Sequence, residues 1–414
     1  MAFIYVTIIL DVLGFGIIIP VLAPLVVSFT RNEAEGAFFF GVLLTVWSFM
    51  QFCFSPLLGA LSDRFGRRPV LILSAIGLGL DYIIMALAPT LAWLFVGRIL
   101  SGICASSYPT AAAYVADVTP PEKRAASYGM IGAAFGVAFI LGPALGGVLG
   151  GLGLRTPFWA SAAMSLTSAA YGLFVLPESL RKEVRKPVSW RRANPVGSLG
   201  LLRSHRGLFG LASVNFLNFL AFQVLPSVFV LYAGVRYGWG PLEVGLTLTL
   251  VGVCQIAVQG GLVKPLIKRF GERKMLSLGL LAGMSGLAIY GTAPFGLAVL
   301  LGVPVYAFIG LVQPALQSLM TRRVSPSEQG QLQGANASLV GLTGIIGPIL
   351  FTSIFSYFIA PTSIGFLPGA PFYLAALLFL AAATLAVRVT RPTLGEIPAG
   401  VPMPIPDGPD RPGA

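Results

Sequence analysis

Histidine and cysteine are nearly absent from this chain, and their scarcity excludes several kinds of site. The sequence has one histidine, His205, and three cysteines, Cys53, Cys104 and Cys254. The cysteines fall in apolar stretches without metal-ligand spacing, so neither a disulfide framework nor a metal site is expected. A single histidine also cannot supply the ligand sets or nucleophile–base pairs that enzymes use. We therefore expect no catalytic residues, no metal, no cofactor and no enzymatic activity.

Charged residues are scarce as well. They make up 10% of the 414 residues, whereas a soluble domain has about 25%. Hydrophobic residues reach 56% and the mean hydropathy is +0.85, so most of the surface is expected to meet lipid. A membrane span needs ~20 apolar residues, and this length therefore accommodates about a dozen spans. Since the first apolar run continues past Asp11, we expect no cleaved targeting peptide.

The basic residues lie between alternate apolar stretches. Of the 27 Lys and Arg residues, 23 fall at positions 64–68, 123–124, 181–206, 264–274, 322–323 and from 388 onward. These segments share one side of the membrane if the spans alternate. The positive-inside rule then places them, and both termini, in the cytoplasm of a multi-pass inner-membrane protein. No aromatic-interleaved basic patch is present, so no nucleic-acid partner is expected.

Twelve apolar stretches predict an all-α membrane protein. We expect helices at 2–29, 37–62, 69–88, 92–116, 124–150, 157–176, 207–233, 241–264, 274–292, 295–320, 329–358 and 369–388. The predicted units are an N-terminal six-helix bundle (1–176), a basic cytoplasmic linker (177–206), a C-terminal six-helix bundle (207–388) and a disordered proline-rich tail (389–414). The linker is either solvated or in contact with anionic lipid headgroups.

The two bundles repeat at a constant offset of 205 residues. Arg64-Phe65-Gly66 recurs as Arg269-Phe270-Gly271, and Gly142-Pro143 recurs as Gly347-Pro348. A constant offset without gaps indicates a duplicated unit, here two pseudo-symmetric six-helix bundles. Such pairs hold a substrate between the bundles near the midplane and work by alternating access, as one bundle rocks against the other.

Three charged residues lie inside predicted spans of the first half, namely Asp11, Asp81 and Arg98. A charge at the centre of a span costs at least ~2.5–3.5 kcal/mol. One interpretation is a structural ion-pair cluster, in which acid and base offset each other's cost. The other is that the carboxylates bind a proton or a cationic substrate group. If proton and substrate exclude each other there, their movements in opposite directions become coupled, and we predict this role for the three residues.

A short charged loop separates the second and third predicted helices. Gly59–Pro69 reads GALSDRFGRRP, and its charges cannot face lipid. We expect a salt bridge from Arg67 to Asp117 and a position for Asp63 at the N-terminus of a second-half helix, where unpaired N–H groups favour a carboxylate. These contacts would hold the cytoplasmic side shut. Ordinary surface charge is the alternative.

The fifth predicted helix is rich in glycine. Gly132–Gly151 reads GAAFGVAFILGPALGGVLGG, a pattern that allows very close helix packing. Pro143 removes one backbone hydrogen bond and favours a kink. We predict that Gly142 and Pro143 form a hinge or a seal between the halves, in addition to a packing face.

Polar residues in other spans are candidates for the lining of a substrate cavity. The alternative for each is interhelical hydrogen bonding. The candidates are Gln51, Asn215, Asn218, Gln223, Gln255, Gln259, Gln313 and Gln317. Gln255 with Gln259, and Gln313 with Gln317, are spaced to share one helix face.

The charged loop resembles the loop between helices 2 and 3 of the major facilitator superfamily. Over about residues 5–355 the chain further resembles the tetracycline-efflux group of its twelve-span drug:proton antiporters. Gly142-Pro143 with Gly146 and Gly147 is similar to the span-five antiporter motif. The other matching segments include Leu10-Asp11, Ser62-Asp63-Arg64-Phe65-Gly66-Arg67-Arg68-Pro69, Leu80-Asp81-Tyr82, Gly97-Arg98, Ala116-Asp117, Pro177-Glu178-Ser179 and Pro314-Ala315-Leu316-Gln317.

This resemblance implies that Asp11, Asp81, Arg98, Asp63 and Arg67 serve proton-coupled export. Two positions depart from the group's pattern, since Gly283 stands in place of an aspartate and Gln255 in place of a histidine. Both departures bear on tetracycline–metal recognition and on the proton stoichiometry.

The sequence therefore predicts a secondary transporter, a monomer whose partners are lipid, protons and a small amphipathic substrate such as a drug. Its activity would then be antibiotic efflux. A facilitator or exporter of a sugar or metabolite without proton coupling, and a non-transporting membrane sensor, remain as alternatives.

Overall fold

A computed structural model of the chain is almost entirely helical. It describes residues 2–105, 108–181, 183, 185, 200–204, 206–325 and 328–390, and this part of the chain contains no β-strand. The first half contains α1 (Ala2–Val27), α2 (Glu33–Phe65), α3 (Arg67–Leu87), α4 (Leu91–Cys104), α5 (Tyr108–Val118), α6 (Arg124–Leu152) and α7 (Thr156–Phe174). The second half contains α8 (Gly200–Ser204), α9 (Arg206–Phe222), α10 (Val224–Tyr237), α11 (Pro241–Ala257), α12 (Val263–Thr292), α13 (Gly296–Ala307), α14 (Val312–Thr321), α15 (Gln329–Ile359) and α16 (Ala370–Val389).

The helices account for twelve membrane crossings. Ten helical stretches within the described ranges are long and apolar enough to span a membrane. One of them, Pro241–Thr292, has 52 residues and turns at Gly271, whose φ of 78° lies in the left-handed region that glycine tolerates. It therefore supplies two crossings. The serine- and alanine-rich α7 completes the twelve, so the predicted all-α membrane fold is confirmed.

Several predicted helices are interrupted. The span expected at 207–233 breaks at Gln223, between α9 and α10, and the span expected at 295–320 contains a 3-10 turn over Phe308–Leu311. A π-helical turn over Val258–Leu262 joins α11 to α12. Apolar pattern alone does not reveal such breaks, because a 3-10 or π turn leaves the hydrophobicity of a span unchanged.

Two seams join the halves, one between α2 and α15 and the other between α6 and α11. We call the end of the bundle that carries the Gly66 and Gly271 turns the basic end. Hydrogen bonds cross the seams toward the opposite end, from Ser356 to the Ala34 carbonyl (2.7 Å), from Thr45 to Ile345 (3.1 Å) and from Thr249 to Ile140 (3.0 Å).

The helices that lead to the basic end pack mainly within their own half. There α5 packs on α1, α2, α3 and α6, whereas α14 packs on α9 and α12, so each belongs to its own half. At the opposite end, α10 of the second half packs on α1 and α2 of the first. Gln313 on α14 is exposed, as is its neighbour Pro314, whereas Val312, Ala315 and Leu316 are buried. The basic linker and the tail lie largely outside the described residues, and the predicted domain limits stay a prediction.

Candidate functional site

An ion pair is buried completely inside the first half. The Arg98 guanidinium of α4 donates to the Asp81 carboxylate of α3 at 2.9 Å, and the two side chains are 1% and 0% exposed. The same guanidinium contacts the Met85 sulfur at 2.9 Å. Gly97 makes this approach possible, since a Cβ there would lie 2.7 Å from Asp81 Oδ1. The pair therefore depends on a glycine beside the arginine.

Asp11 lies on α1, which packs against helices of both halves. Its residue is half-buried, its Oδ1 has no hydrogen-bond partner among the described residues, and Ser168 of α7 lies beside it. Phe15, one turn along α1, stacks on Trp47 of α2 with ring centroids 5.6 Å apart. Asp11 thus adjoins an aromatic pair that spans two helices.

The two carboxylates belong to one electrostatic neighbourhood. Tyr82, fully buried next to Asp81, lies within range of the charges of Asp81, Arg98 and Asp11. Arg98 pairs with Asp81, so Asp11 is the acid left without a cation in direct contact. An unpaired carboxylate in an apolar interior is costly to keep charged. This arrangement can therefore take up and release a proton.

The predicted gating residues form a cluster at the basic end. Arg67 Nε lies 3.2 Å from Asp117 Oδ2, and Arg67 Nη1 contacts Asp63 Oδ1 at 2.5 Å. Ser62 accepts a further hydrogen bond from Arg67 at 2.7 Å. All four residues belong to the first half. The position expected for Asp63, against a second-half helix, is therefore not the one it occupies here, where it pairs with Arg67.

Glu178 completes this cluster and was not among the predicted site residues. Its carboxylate accepts the Arg67 backbone N–H at 2.9 Å, which caps the N-terminus of α3. Its neighbour Ser179 donates to Asp117 Oδ2 at 3.1 Å. The Pro177-Glu178-Ser179 segment is one of those that match the tetracycline-efflux group. The sequence does not show, however, that Glu178 contacts a residue more than a hundred positions earlier in the chain.

Gly142 and Pro143 lie where three helices cross. A Cβ on Gly142 of α6 would lie 2.7 Å from the Cα of Gly16 on α1. One turn further, a Cβ on Gly147 would lie 2.7 Å from the Pro241 carbonyl oxygen of α11, in the second half. The backbone of α6 therefore contacts the backbone of α1 on one side and that of α11, across the seam, on the other.

The predicted cavity residues separate into two sets. Asn215 and Gln313 hydrogen-bond to each other at 2.9 Å, and Gln317 accepts from Asn336 at 3.2 Å. Asn336 was not among the predicted site residues. The structure does not bring the other candidates together. Asn218 is buried on α9, and Gln223 packs on Gly344 and Gly347. Gln51 on α2 and Gln255 on α11 are half-buried, and Gln259 is exposed beside Gly310.

Comparisons with known proteins agree with this architecture. A model of the Major Facilitator Superfamily matches residues 4–348 and 211–405. The tetracycline resistance protein of class C from Escherichia coli is 38% identical over 350 residues, which cover 84% of this chain and 88% of that protein. The class G protein from Vibrio anguillarum is 38% identical over 349 residues, with the same coverage of both chains. The crystal structure of the human organic anion transporter MFSD10 (TETRAN) is 25% identical with a TM-score of 0.68, and the match covers 93% of this chain and 98% of that one.

Proposed function

Since the chain belongs to the Major Facilitator Superfamily, we propose that it exports a small amphipathic compound in exchange for protons. The family is one of membrane transporters and not of enzymes, so the chain is a multi-span membrane transporter. The observation that carries the proposal is the pairing at Arg98. This guanidinium binds Asp81, while Asp11, in the same half, has a buried carboxylate oxygen without a partner among the described residues.

This pairing supports a proton-binding role for Asp11. A buried carboxylate without a cation is stabilised by protonation, and it loses that stabilisation when water or a substrate group reaches it. Asp81 is coupled to substrate binding through Arg98. Any ligand that draws the guanidinium away from Asp81 leaves this carboxylate, like that of Asp11, without a cation. Proton uptake and substrate binding then oppose each other, which is the requirement for antiport.

The substrate that we propose is drug-like and tetracycline-like, as the names of the relatives suggest. The stacked rings of Phe15 and Trp47, beside Asp11, offer an aromatic surface to a planar, partly apolar compound. The amide groups of the second half offer hydrogen bonds from the other side of the central space. An amphipathic molecule matches this combination better than a sugar does.

The membrane orientation follows from charge. The loops at the basic end hold most of the lysines and arginines, so we place this end and both termini in the cytoplasm of an inner membrane. The central space opens toward that side, and the conformation described here is the one that loads cargo from the cytoplasm. We further propose that the chain acts as a monomer surrounded by lipid.

The cluster of Asp63, Arg67 and Asp117 serves as the gate in this proposal. In the present conformation its ion pairs lie within the first half. When the basic end closes, the second half approaches these charges, and Asp63 becomes available to the N-terminus of a second-half helix. Gly142 and Pro143 allow α6 to turn with α1 during that movement.

Inverted membrane vesicles with an imposed pH gradient test the proposal. A panel of planar amphipathic compounds, tetracycline among them, is offered with the gradient present and then dissipated. Gradient-dependent accumulation is expected for at least one compound. Accumulation that ignores the gradient would instead favour a facilitator, and a protein that moves no compound, sugar or metabolite would favour a sensor.

A further inference from the structure

Four amide side chains form a continuous hydrogen-bonded relay in the second half. Gln313 Nε2 donates to Asn215 Oδ1 at 2.9 Å, Asn215 Nδ2 donates to Asn336 Oδ1 at 3.2 Å, and Asn336 Nδ2 donates to Gln317 Oε1 at 3.2 Å. We call these residues the amide relay. The relay leaves α14 at Gln313, passes through α9 and α15, and returns to α14 at Gln317.

The relay ends on the open side of α14. Val312, Ala315 and Leu316 bury the opposite face of this helix, whereas Gln313 is exposed and Gln317 is half-buried. Helix α14 packs on α12 and α9, and α15 reaches it through the hydrogen bond from Asn336 to Gln317. The exposed face of α14, which carries Gln313, is therefore free to contact a ligand.

The two ends of the relay have complementary hydrogen-bonding character. Within the described residues, Gln313 Oε1 and Gln317 Nε2 have no partner, so one end offers an acceptor and the other a donor. If every amide in the relay turns over, each internal bond is kept with its direction reversed. Gln313 then offers the donor and Gln317 the acceptor, so the ends always differ.

We propose that the amide relay is a substrate subsite that selects uncharged compounds carrying one hydrogen-bond donor and one acceptor about one helical turn, ~5–6 Å, apart. The proposal rests on the proposed export function and names the chemical class of its substrate. Gln313 and Gln317 contact the compound, and Asn215 and Asn336 are positioning residues. Because the relay can reverse, it accepts such a pair in either orientation.

Asn215 explains why the relay holds its geometry. Its side chain is 2% exposed, and both of its amide atoms are used inside the relay. A buried amide that loses a partner costs about 1–3 kcal/mol, so the four groups tend to keep or reverse their bonds together. Asn218, one turn away on α9, is also buried and has an oxygen without a partner in the part of the chain that the structure describes. It supplies a further acceptor near the relay.

Carboxylates provide a sharp test, since they only accept hydrogen bonds. Gln317→Glu keeps the internal bonds but removes the donor at that end. Gln313→Glu forces the relay to reverse and leaves acceptors at both ends. Asn336→Leu interrupts the relay without changing either end. Gln331→Glu, at an exposed position on α15 outside the relay, is the matched control.

The measurement is equilibrium binding to detergent-purified full-length protein without a pH gradient. The probes are 4-hydroxybenzophenone and other uncharged aromatic hydroxyketones, each compared with the analogue that carries a methylene group in place of the ketone carbonyl. We expect the unmodified protein and the control to bind each hydroxyketone about tenfold more tightly than its methylene analogue, one hydrogen bond to the ketone being the difference. The two Glu variants should lose that preference, because neither end of the relay then donates, while still binding the methylene analogues. Asn336→Leu should weaken the preference, because the two ends then turn over independently.

The failure of this proposal is separable from the failure of the proposed function. Absence of any preference in the unmodified protein, or a preference that both Glu variants keep, would overturn the subsite. Neither result depends on coupling to protons, because no gradient is applied. Conversely, gradient-independent flux in vesicles would overturn antiport and leave the binding preference unaffected.

Discussion

Glu272 occupies, in the second half, the position that Arg67 holds in the first. The two residues are separated by the 205-residue offset of the repeat, and each follows a glycine of positive φ. Their partners obey the same offset, since Arg67 pairs with Asp117 and Glu272 pairs with Arg322. The ion pair is therefore duplicated with its charges exchanged.

The duplicated pairs should differ in strength. The Arg67 and Asp117 side chains are 11% and 24% exposed, whereas Arg322 is 66% exposed. An exposed pair contributes about 0–1 kcal/mol, so Arg322→Gln should barely change stability. Arg67→Gln removes bonds to Asp117, Asp63 and Ser62. It should lower the melting temperature and reduce the export rate severalfold. Equal effects of the two substitutions would show that the first-half cluster has no special role.

Neutralising either Asp11 or Asp81 should abolish coupling. Asp11→Asn and Asp81→Asn remove the carboxylates that we propose bind protons, so gradient-driven uptake into inverted vesicles should fall at least about tenfold, equivalent to ~1.4 kcal/mol. Glu122→Gln, at an exposed position at the basic end, is the control. Comparable protein levels in the membrane establish correct insertion. Full gradient-dependent activity of both Asn variants contradicts the coupling role.

Arg98 should be needed for stability as well as for transport. Arg98→Met leaves Asp81 buried without a partner, and loss of one member of a buried pair costs about 3–5 kcal/mol. The double variant Asp81→Asn/Arg98→Met removes the orphaned charge and should regain most of the lost melting temperature. It should not regain gradient-driven export. If the single and double variants have the same melting temperature, the ion pair does not account for the loss of stability.

The glycine crossing predicts a contrast between neighbouring positions. Gly142→Ala places a methyl group against the Gly16 backbone and should destabilise the purified protein by about 1–3 kcal/mol. Gly132→Ala, on the same helix, meets nothing within 4 Å and should be neutral or slightly stabilising. Thermal unfolding in detergent distinguishes them. Matching melting temperatures would mean that α1 and α6 separate easily.

Restoring the acid that the resemblance leads one to expect in span nine should fail. A Cβ on Gly283 would lie 2.7 Å from Ile309 Cδ1 and 3.2 Å from the Phe379 ring. Gly283→Asp therefore combines a steric clash with a buried charge, and we expect low membrane abundance. Gly283→Ala, which adds only the methyl group, measures the steric part. A well-expressed Asp variant with altered proton stoichiometry would instead show that the space is adaptable.

Sequence was sufficient where the signal lies along the chain. A constant offset predicted the duplicated bundles, and acids inside apolar runs selected Asp11 and Asp81 as candidates whose coupling role stays a prediction. Contacts between side chains on different helices could not be predicted in the same way. Nothing in the chain order shows that Arg98 pairs with Asp81 and not with Asp11, because that choice is set by the space that Gly97 leaves between α3 and α4.

Long-range caps and amide contacts were missed for the same reason. Glu178 reaches the N-terminus of α3 from 111 residues away. Asn336 hydrogen-bonds to Asn215 across 121 residues, and a lone asparagine in a span carries no sign of its partner. The breaks at Gln223 and at Phe308–Leu311 were likewise invisible, since backbone geometry there changes without a change in composition.

The bare contacts among α1, α6 and α11 have a mechanical consequence. Where Gly16 meets Gly142, and Gly147 meets the backbone of α11, no flexible side chain lies between the helices to absorb a displacement. Any tilt of the helix that carries Asp11 is transmitted directly to the other half. In the proposed mechanism, a shift of α1 on protonation of Asp11 would therefore move the second half through backbone contact.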